Sequence, residues 1–138
     1  MKKLLLAVAA LLSLSSAQAS MVQNLGPGYQ CAVHDQMDVT YNQFNIYLFD
    51  MVFAPVAVNP PGAARIIMDN AMMFPTISLI DGQAMLQQGF AGLSITVEGE
   101  DFSMLLMNGQ NIMGTYKGMD LTGECQWSPN VIRTVDPY

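Results

Sequence analysis

From Tyr29 onward the chain alternates apolar and polar residues with a period of two, and no other feature limits its fold so strongly. Tyr29, Cys31 and Val33 alternate with Gln30, Ala32 and His34, and Met37, Val39 and Tyr41 with Asp38, Thr40 and Asn42. Later, Leu93, Ile95 and Val97 oppose Ser94, Thr96 and Glu98, while Leu121, Gly123, Cys125 and Trp127 oppose Asp120, Thr122, Glu124 and Gln126. A period of two sends successive side chains to opposite faces, so each segment reads as a strand with one dry and one wet face. Both cysteines fall on dry faces. An inward sulfur near one end of the domain meets an inward sulfur near the other only if the sheet closes or two sheets face each other.

Turn chemistry supplies the connections. Asp81-Gly82 separates 77–80 from 83–87, and Asn108-Gly109 separates 102–107 from 110–116; both dipeptides suit two-residue hairpins. Glu98 to Asp101 and Asp35-Gln36 read as looser turns, and Lys117-Gly118 as a turn or bulge. The expected fold is all-β: a small antiparallel meander barrel or compact sandwich of about eight strands, with closure removing its edges. One segment breaks the pattern. Pro55, Pro60, Pro61 and Gly62 precede Ala63 to Met73, whose apolar residues fit neither period, so a loop followed by a short helix is expected there. The tail from Ser128 contains two prolines and reads as extended.

Residues 1–19 have the form of an export signal: Lys2 and Lys3, an apolar run from Leu4 to Leu14, and Ala17-Gln18-Ala19 before Ser20. The apolar run falls well short of the roughly 20 residues a membrane-spanning helix needs. The expectation is therefore a single β domain over 20–138, soluble after signal removal and periplasmic or secreted. A transmembrane barrel fits less well, since several strands look too short to span. In an oxidising compartment Cys31 and Cys125 are expected to form a disulfide joining the first and last strands. Closing a loop between cysteines 94 positions apart stabilises by about 4 to 5 kcal/mol on the chain-entropy account. Without the signal, three cations (Arg65, Lys117, Arg133) stand against eleven carboxylates, a net charge of −8. Nucleic acid is excluded as a partner, because phosphate neutralisation needs clustered Lys and Arg.

Few residues invite catalysis. His34 is the single histidine and stands beside Asp35, but strand neighbours face opposite ways and no Gly-x-Ser-x-Gly element is present. Glu98, Glu100 and Asp101 crowd a turn without the spacing of a calcium loop. The chain is expected to be non-enzymatic and to need no cofactor. Methionine is the oddity, with twelve residues. Thioethers can hold Cu(I), which makes Met68, Met72, Met73, Met104, Met107, Met113 and Met119 an alternative copper set. Most interleave with Leu, Ile and Phe, as adaptable core filler or contact surface does. A barrel lined this way could also carry a small apolar ligand. Met72-Met73-Phe74 is the best candidate for an exposed apolar contact.

Two motifs sit near the ends of the domain: Tyr29-Gln30-Cys31, and Tyr116-Lys117-Gly118 followed after six residues by Cys125. Here the chain resembles the exported lysozyme inhibitors of Gram-negative bacteria, small disulfide-bonded β-barrels in which Tyr-x-Cys opens the first strand and Tyr-x-Gly…Cys closes the last. The family's Ser-Gly-x-x-Tyr inhibitory loop has no counterpart. The resemblance implies an exported binding or inhibitor protein. Tyr116, Lys117, Met72, Met73 and Phe74 are its candidate contacts, and a cationic protein such as a lysozyme is the candidate partner. A net charge of −8 would steer such a partner electrostatically.

Overall fold

The computed structural model describes residues 21–38, 40, 42–53, 62–72, 76–89 and 93–135. Among the described residues are ten strands: β1 (Met21–Asn24), β2 (Gly28–Asp35), β3 (Gln43–Val52), β4 (Gly62–Asn70), β5 (Ser78–Gln88), β6 (Ser94–Glu98), β7 (Phe102–Met107), β8 (Asn111–Tyr116), β9 (Met119–Ser128) and β10 (Ile132–Val135). Strands β2 to β9 close into an antiparallel barrel in meander order, β9 pairing back onto β2. Strands β1 and β10 pair with each other as a separate two-stranded sheet. Among the described residues, no helix is long and apolar enough to cross a membrane.

Alternation fills the interior. Ile46, Leu48, Ile66, Met68, Leu86, Val97, Leu106, Ile112 and Leu121 are each at most 2% exposed and pack into one cluster to which all eight barrel strands contribute. Burial of each such side chain contributes about 1.5–3 kcal/mol. Cys31 on β2 lies directly opposite Cys125 on β9, and the disulfide joins them. These are the first and last strands of the barrel, though not of the chain. The hairpin expected at Asn108-Gly109 is present, and Lys117-Gly118, expected as a turn or bulge, is a hairpin turn too, with φ of 54° and 65° in the first and 47° and 79° in the second. Positive φ at both central residues is what matches a two-residue turn to the twist of its strands. Gln110 N–H donates to the Met107 carbonyl at 3.0 Å to close the first turn.

Four sequence expectations need correction. The helix expected within 63–73 is instead strand β4 over Gly62–Asn70. Ala64, Ile66 and Met68 face the barrel interior, while Ile67 and Asp69, on the outer side, are buried as well. A strand covered on both faces loses its alternation, which is why the segment fits no period. The Asp81-Gly82 turn is also absent: both residues lie within the continuous β5, opposite Ile67 and Ile66 of β4. The tail is not merely extended, because Ile132–Val135 form β10. Finally, Met37 to Asn42 do not form a strand in their described part; β2 ends at Asp35 and β3 begins at Gln43, with Val39 and Tyr41 outside the described residues.

What covers β4 is the β1–β10 sheet. Val131, with Leu25 beside it, packs on Tyr47, Phe49 and Ile67, forming a small second core on the outer surface of β3 and β4. A buried ion pair fastens it. Arg133 of β10 donates from Nε and Nη2 to the two carboxylate oxygens of Asp69 at 2.8 and 2.7 Å. It also reaches Gln23 of β1 through Nη1 at 2.9 Å and Ser78 of β5 through Nη2 at 2.6 Å. Ser78 Oγ donates to Asp69 at 2.9 Å. The bond to Asp69 is the chief reason the Arg133 guanidinium holds its proton still more tightly than usual. Burial first, and the neighbouring Asp69 charge second, push the Tyr47 phenol above its ordinary value.

Candidate functional site

In an up-and-down meander, alternate connections emerge at the same end. The β2–β3, β4–β5, β6–β7 and β8–β9 connections therefore share one rim. Short hydrogen bonds tie them together. Lys117 N–H donates to the Asp101 carbonyl at 2.9 Å, Gln36 N–H to the Asp120 carbonyl at 2.9 Å, and Ala71 N–H to the Gln43 carbonyl at 2.8 Å. Asp35, buried, uses its carboxylate to accept from Met37 N–H at 2.8 Å and from the Asn42 amide at 3.3 Å, which fixes the β2–β3 connection.

The rim collects charge of one sign. Asp35, Asp38, Glu98, Glu100, Asp101 and Asp120 lie on it or at the strand ends beneath it, against Lys117. Arg133 does not offset them, being matched by Asp69. Between the β6–β7 and β8–β9 connections is a cavity of about 190 Å3 lined by Leu79, Ile80, Glu100, Asp101, Phe102, Tyr116 and Lys117. Its floor is apolar, and its lip carries two carboxylates and Lys117. Such a shape accepts an aliphatic stem below and a positive group above. Lys117 adopts φ 47° and holds its ammonium 5.5 Å from the centre of the Tyr116 ring, within cation–π range.

The sequence candidates fall as follows. Lys117 and Met72 are exposed on this same rim, and Tyr116 lies beneath it, turned into the core at 6% exposure but reaching the cavity. Met73 and Phe74 lie outside the described residues. The meander thus brings together residues that stand far apart in the chain. Asp38, Asp120, Leu79 and Phe102 join them, and sequence reading had not singled these out as contacts. The signal was available, because strand parity alone determines which connections share an end.

The methionines are divided. Met68 and Met104 are buried inside the barrel, and Met119 packs partly against the same core. Met107 and Met113 occupy the outer face as diagonal neighbours on β7 and β8, and Met72 is on the rim. Among the described residues, no group of three His, Cys, Asp or Glu side chains is placed to hold a metal ion. His34 and Asp35 do not form a dyad, since His34 Nδ1 lies 3.2 Å from the backbone carbonyl of Asp35 and the Asp35 carboxylate serves the connection above. No family model, curated protein or solved structure matches the chain.

Proposed function

We propose that this is an exported, non-enzymatic binding protein whose acidic barrel end docks a cationic protein partner. The observation that carries the reading is the gathering of six carboxylates and one lysine on a single rim, around an apolar-floored cavity. Acidity spread evenly would serve solubility alone; acidity focused on one end steers a positive partner and raises its rate of encounter. The resemblance of Tyr29-Gln30-Cys31 and Tyr116-Lys117-Gly118…Cys125 to lysozyme inhibitors supports a lysozyme as that partner, with the periplasm as the site of action. Cross-tied connections on a disulfide-closed barrel support rigid docking, in which little ordering cost is incurred on binding. An apolar cargo, by contrast, would require the packed interior to rearrange.

The test uses the oxidised chain as bait for c-, g- and i-type lysozymes at low and moderate salt, with an inhibition assay alongside. Salt-sensitive capture is expected. Neutralising the rim by Glu98→Gln, Glu100→Gln and Asp101→Asn together should slow association about tenfold or more. Lysozymes that stay fully active in excess of the protein and are not retained at low salt would refute the lysozyme assignment.

A further inference from the structure

A second concavity lies on the outer face of the barrel, reaching the rim at Gln43 and Ala71, and Ala32 is its floor. On β2 Ala32 stands between Gln30 and His34, which share its face, and its cross-strand partners are Asn45 on β3 and Glu124 on β9. Asn111 on β8 continues the row opposite Glu124, and Gln126 lies opposite Gln30. A methyl group ringed by four longer polar side chains makes a pit. Three adjoining depressions, of about 480, 440 and 250 Å3, share Ala32 in their walls. From β3 to β8 the surface crosses three interstrand gaps, roughly 14 Å, and from Gln30 to His34 it runs roughly 13 Å along β2.

The polar part of the lining is rich in carboxamides. Gln30, Asn45, Asn111 and Gln126 each present a carboxamide that both donates and accepts, and Glu124 accepts. None of these five side chains makes a hydrogen bond or ion pair with a described residue. Their capacity faces outward. The backbone beneath is held by the Cys31–Cys125 disulfide, which joins the neighbours of Ala32 and Glu124 from the opposite face of the same two strands. Polar groups carried on rigid strands are positioned more closely than on loops.

From this geometry we infer that the concavity binds an uncharged oligosaccharide of two or three rings. Hydroxyl and acetamido groups pair with carboxamides in either sense, and the Ala32 methyl meets the C–H face of a ring. No Lys or Arg lines the site and Glu124 does, so a phosphate or uronic acid is repelled there, His34 being the other ionisable group in the lining. An extended peptide would need an open sheet edge, and closure of the barrel leaves none here. The site is independent of the acidic rim, and either can fail without the other.

The experiment is a titration of the isotopically labelled, oxidised chain with triacetylchitotriose, maltotriose and a uronic-acid trisaccharide, followed by amide chemical shifts. Saturable shifts confined to β2, β3, β8 and β9 are expected for a neutral trisaccharide, with Kd in roughly the low-millimolar range or tighter. Ala32→Arg fills the pit from an exposed position, and together with the double variant Asn45→Ala, Gln126→Ala it should weaken binding about tenfold with the urea midpoint retained. No saturable shift from either neutral trisaccharide at about 10 mM would overturn the inference. So would binding that Ala32→Arg leaves unchanged, or equal binding of the uronic trisaccharide.

Discussion

Replacing Arg133 by Met tests whether the β1–β10 sheet is clasped to the barrel by its buried ion pair. Arg133 is 6% exposed and Asp69 2%. The substitution keeps the aliphatic stem but leaves the Asp69 carboxylate with Ser78 Oγ as its remaining side-chain donor. Truncating one member of a buried pair costs about 3–5 kcal/mol, because the other charge stays desolvated and unmatched. That is a large part of the 5–15 kcal/mol typical of a whole domain. The exposed pair Arg65–Asp81, 3.8 Å apart and with both side chains about half exposed, should cost less than about 1 kcal/mol when broken. If the small core of Val131, Leu25, Tyr47, Phe49 and Ile67 is weaker than the penalty on Asp69, the sheet will lift and hydrate the carboxylate before the barrel unfolds. Urea unfolding gives the global loss. Hydrogen exchange at Leu25 N–H, bonded to the Val131 carbonyl at 2.8 Å, and at Val131 N–H, bonded to the Gly26 carbonyl at 2.7 Å, reports the lifting. The double variant Asp69→Leu, Arg133→Met removes both charges and should recover most of the loss. An Arg133→Met protein that loses under about 1 kcal/mol and keeps both amides protected would refute the clasp.

Further outcomes follow from the same structure. Reducing the disulfide, or replacing Cys31 and Cys125 together by Ala, should lower unfolding free energy by about 4 to 5 kcal/mol; urea midpoints unmoved by reductant would contradict this. Because the Tyr47 phenol is raised by burial and by Asp69, its contribution is complete below the unfolded tyrosine value near 10. Above that pH the unfolded chain releases the proton while the folded one keeps it, so stability falls as pH climbs toward the raised folded value. Urea midpoints of wild type and Tyr47→Phe, measured across that alkaline window, should differ in slope, and parallel curves would count against the burial argument. A Cβ added at Gly123 would collide with the Ala32 carbonyl oxygen and lie 2.7 Å from Val33 Cα, whereas at Gly82 it would meet nothing within 4 Å. Gly123→Ala should therefore cost about 1–3 kcal/mol or more, and Gly82→Ala should be neutral or slightly stabilising; thermal melts of the two variants separate these outcomes.

The barrel was legible because its strands keep one wet face. Cys31, Val33, Ile95, Val97, Leu121 and Cys125 announce their side by position alone, and Asn108-Gly109 carries the residues its turn requires. Asp81-Gly82 carried the same signal and misled. A positive-φ turn needs such residues, but such residues do not need a turn, and β4 runs long enough to pair straight through them. The rim was half legible. Tyr116, Lys117 and Met72 could be named from the chain, but their meeting at one end depends on a strand count that the missing β4 had obscured.

The two deepest errors share a cause. The consecutive apolar residues Ile66, Ile67 and Met68 broke the alternation, and Arg133 stood in a tail read only as extended. Each is explained by the other's element: β10 lies over β4, so Ile67 needs a second dry face and Asp69, buried there, needs a guanidinium. A local pattern records only the environment a strand has on its own. Where two segments 64 positions apart create one environment between them, neither sequence is interpretable alone. The useful mark is the paired anomaly: a strand-length run with no wet face, and an isolated arginine in a β-prone tail. Sought together, they specify a sheet packed outside a barrel. The clasp variants above then test that reading directly, because loss of the arginine should free the segment whose contact erased the pattern.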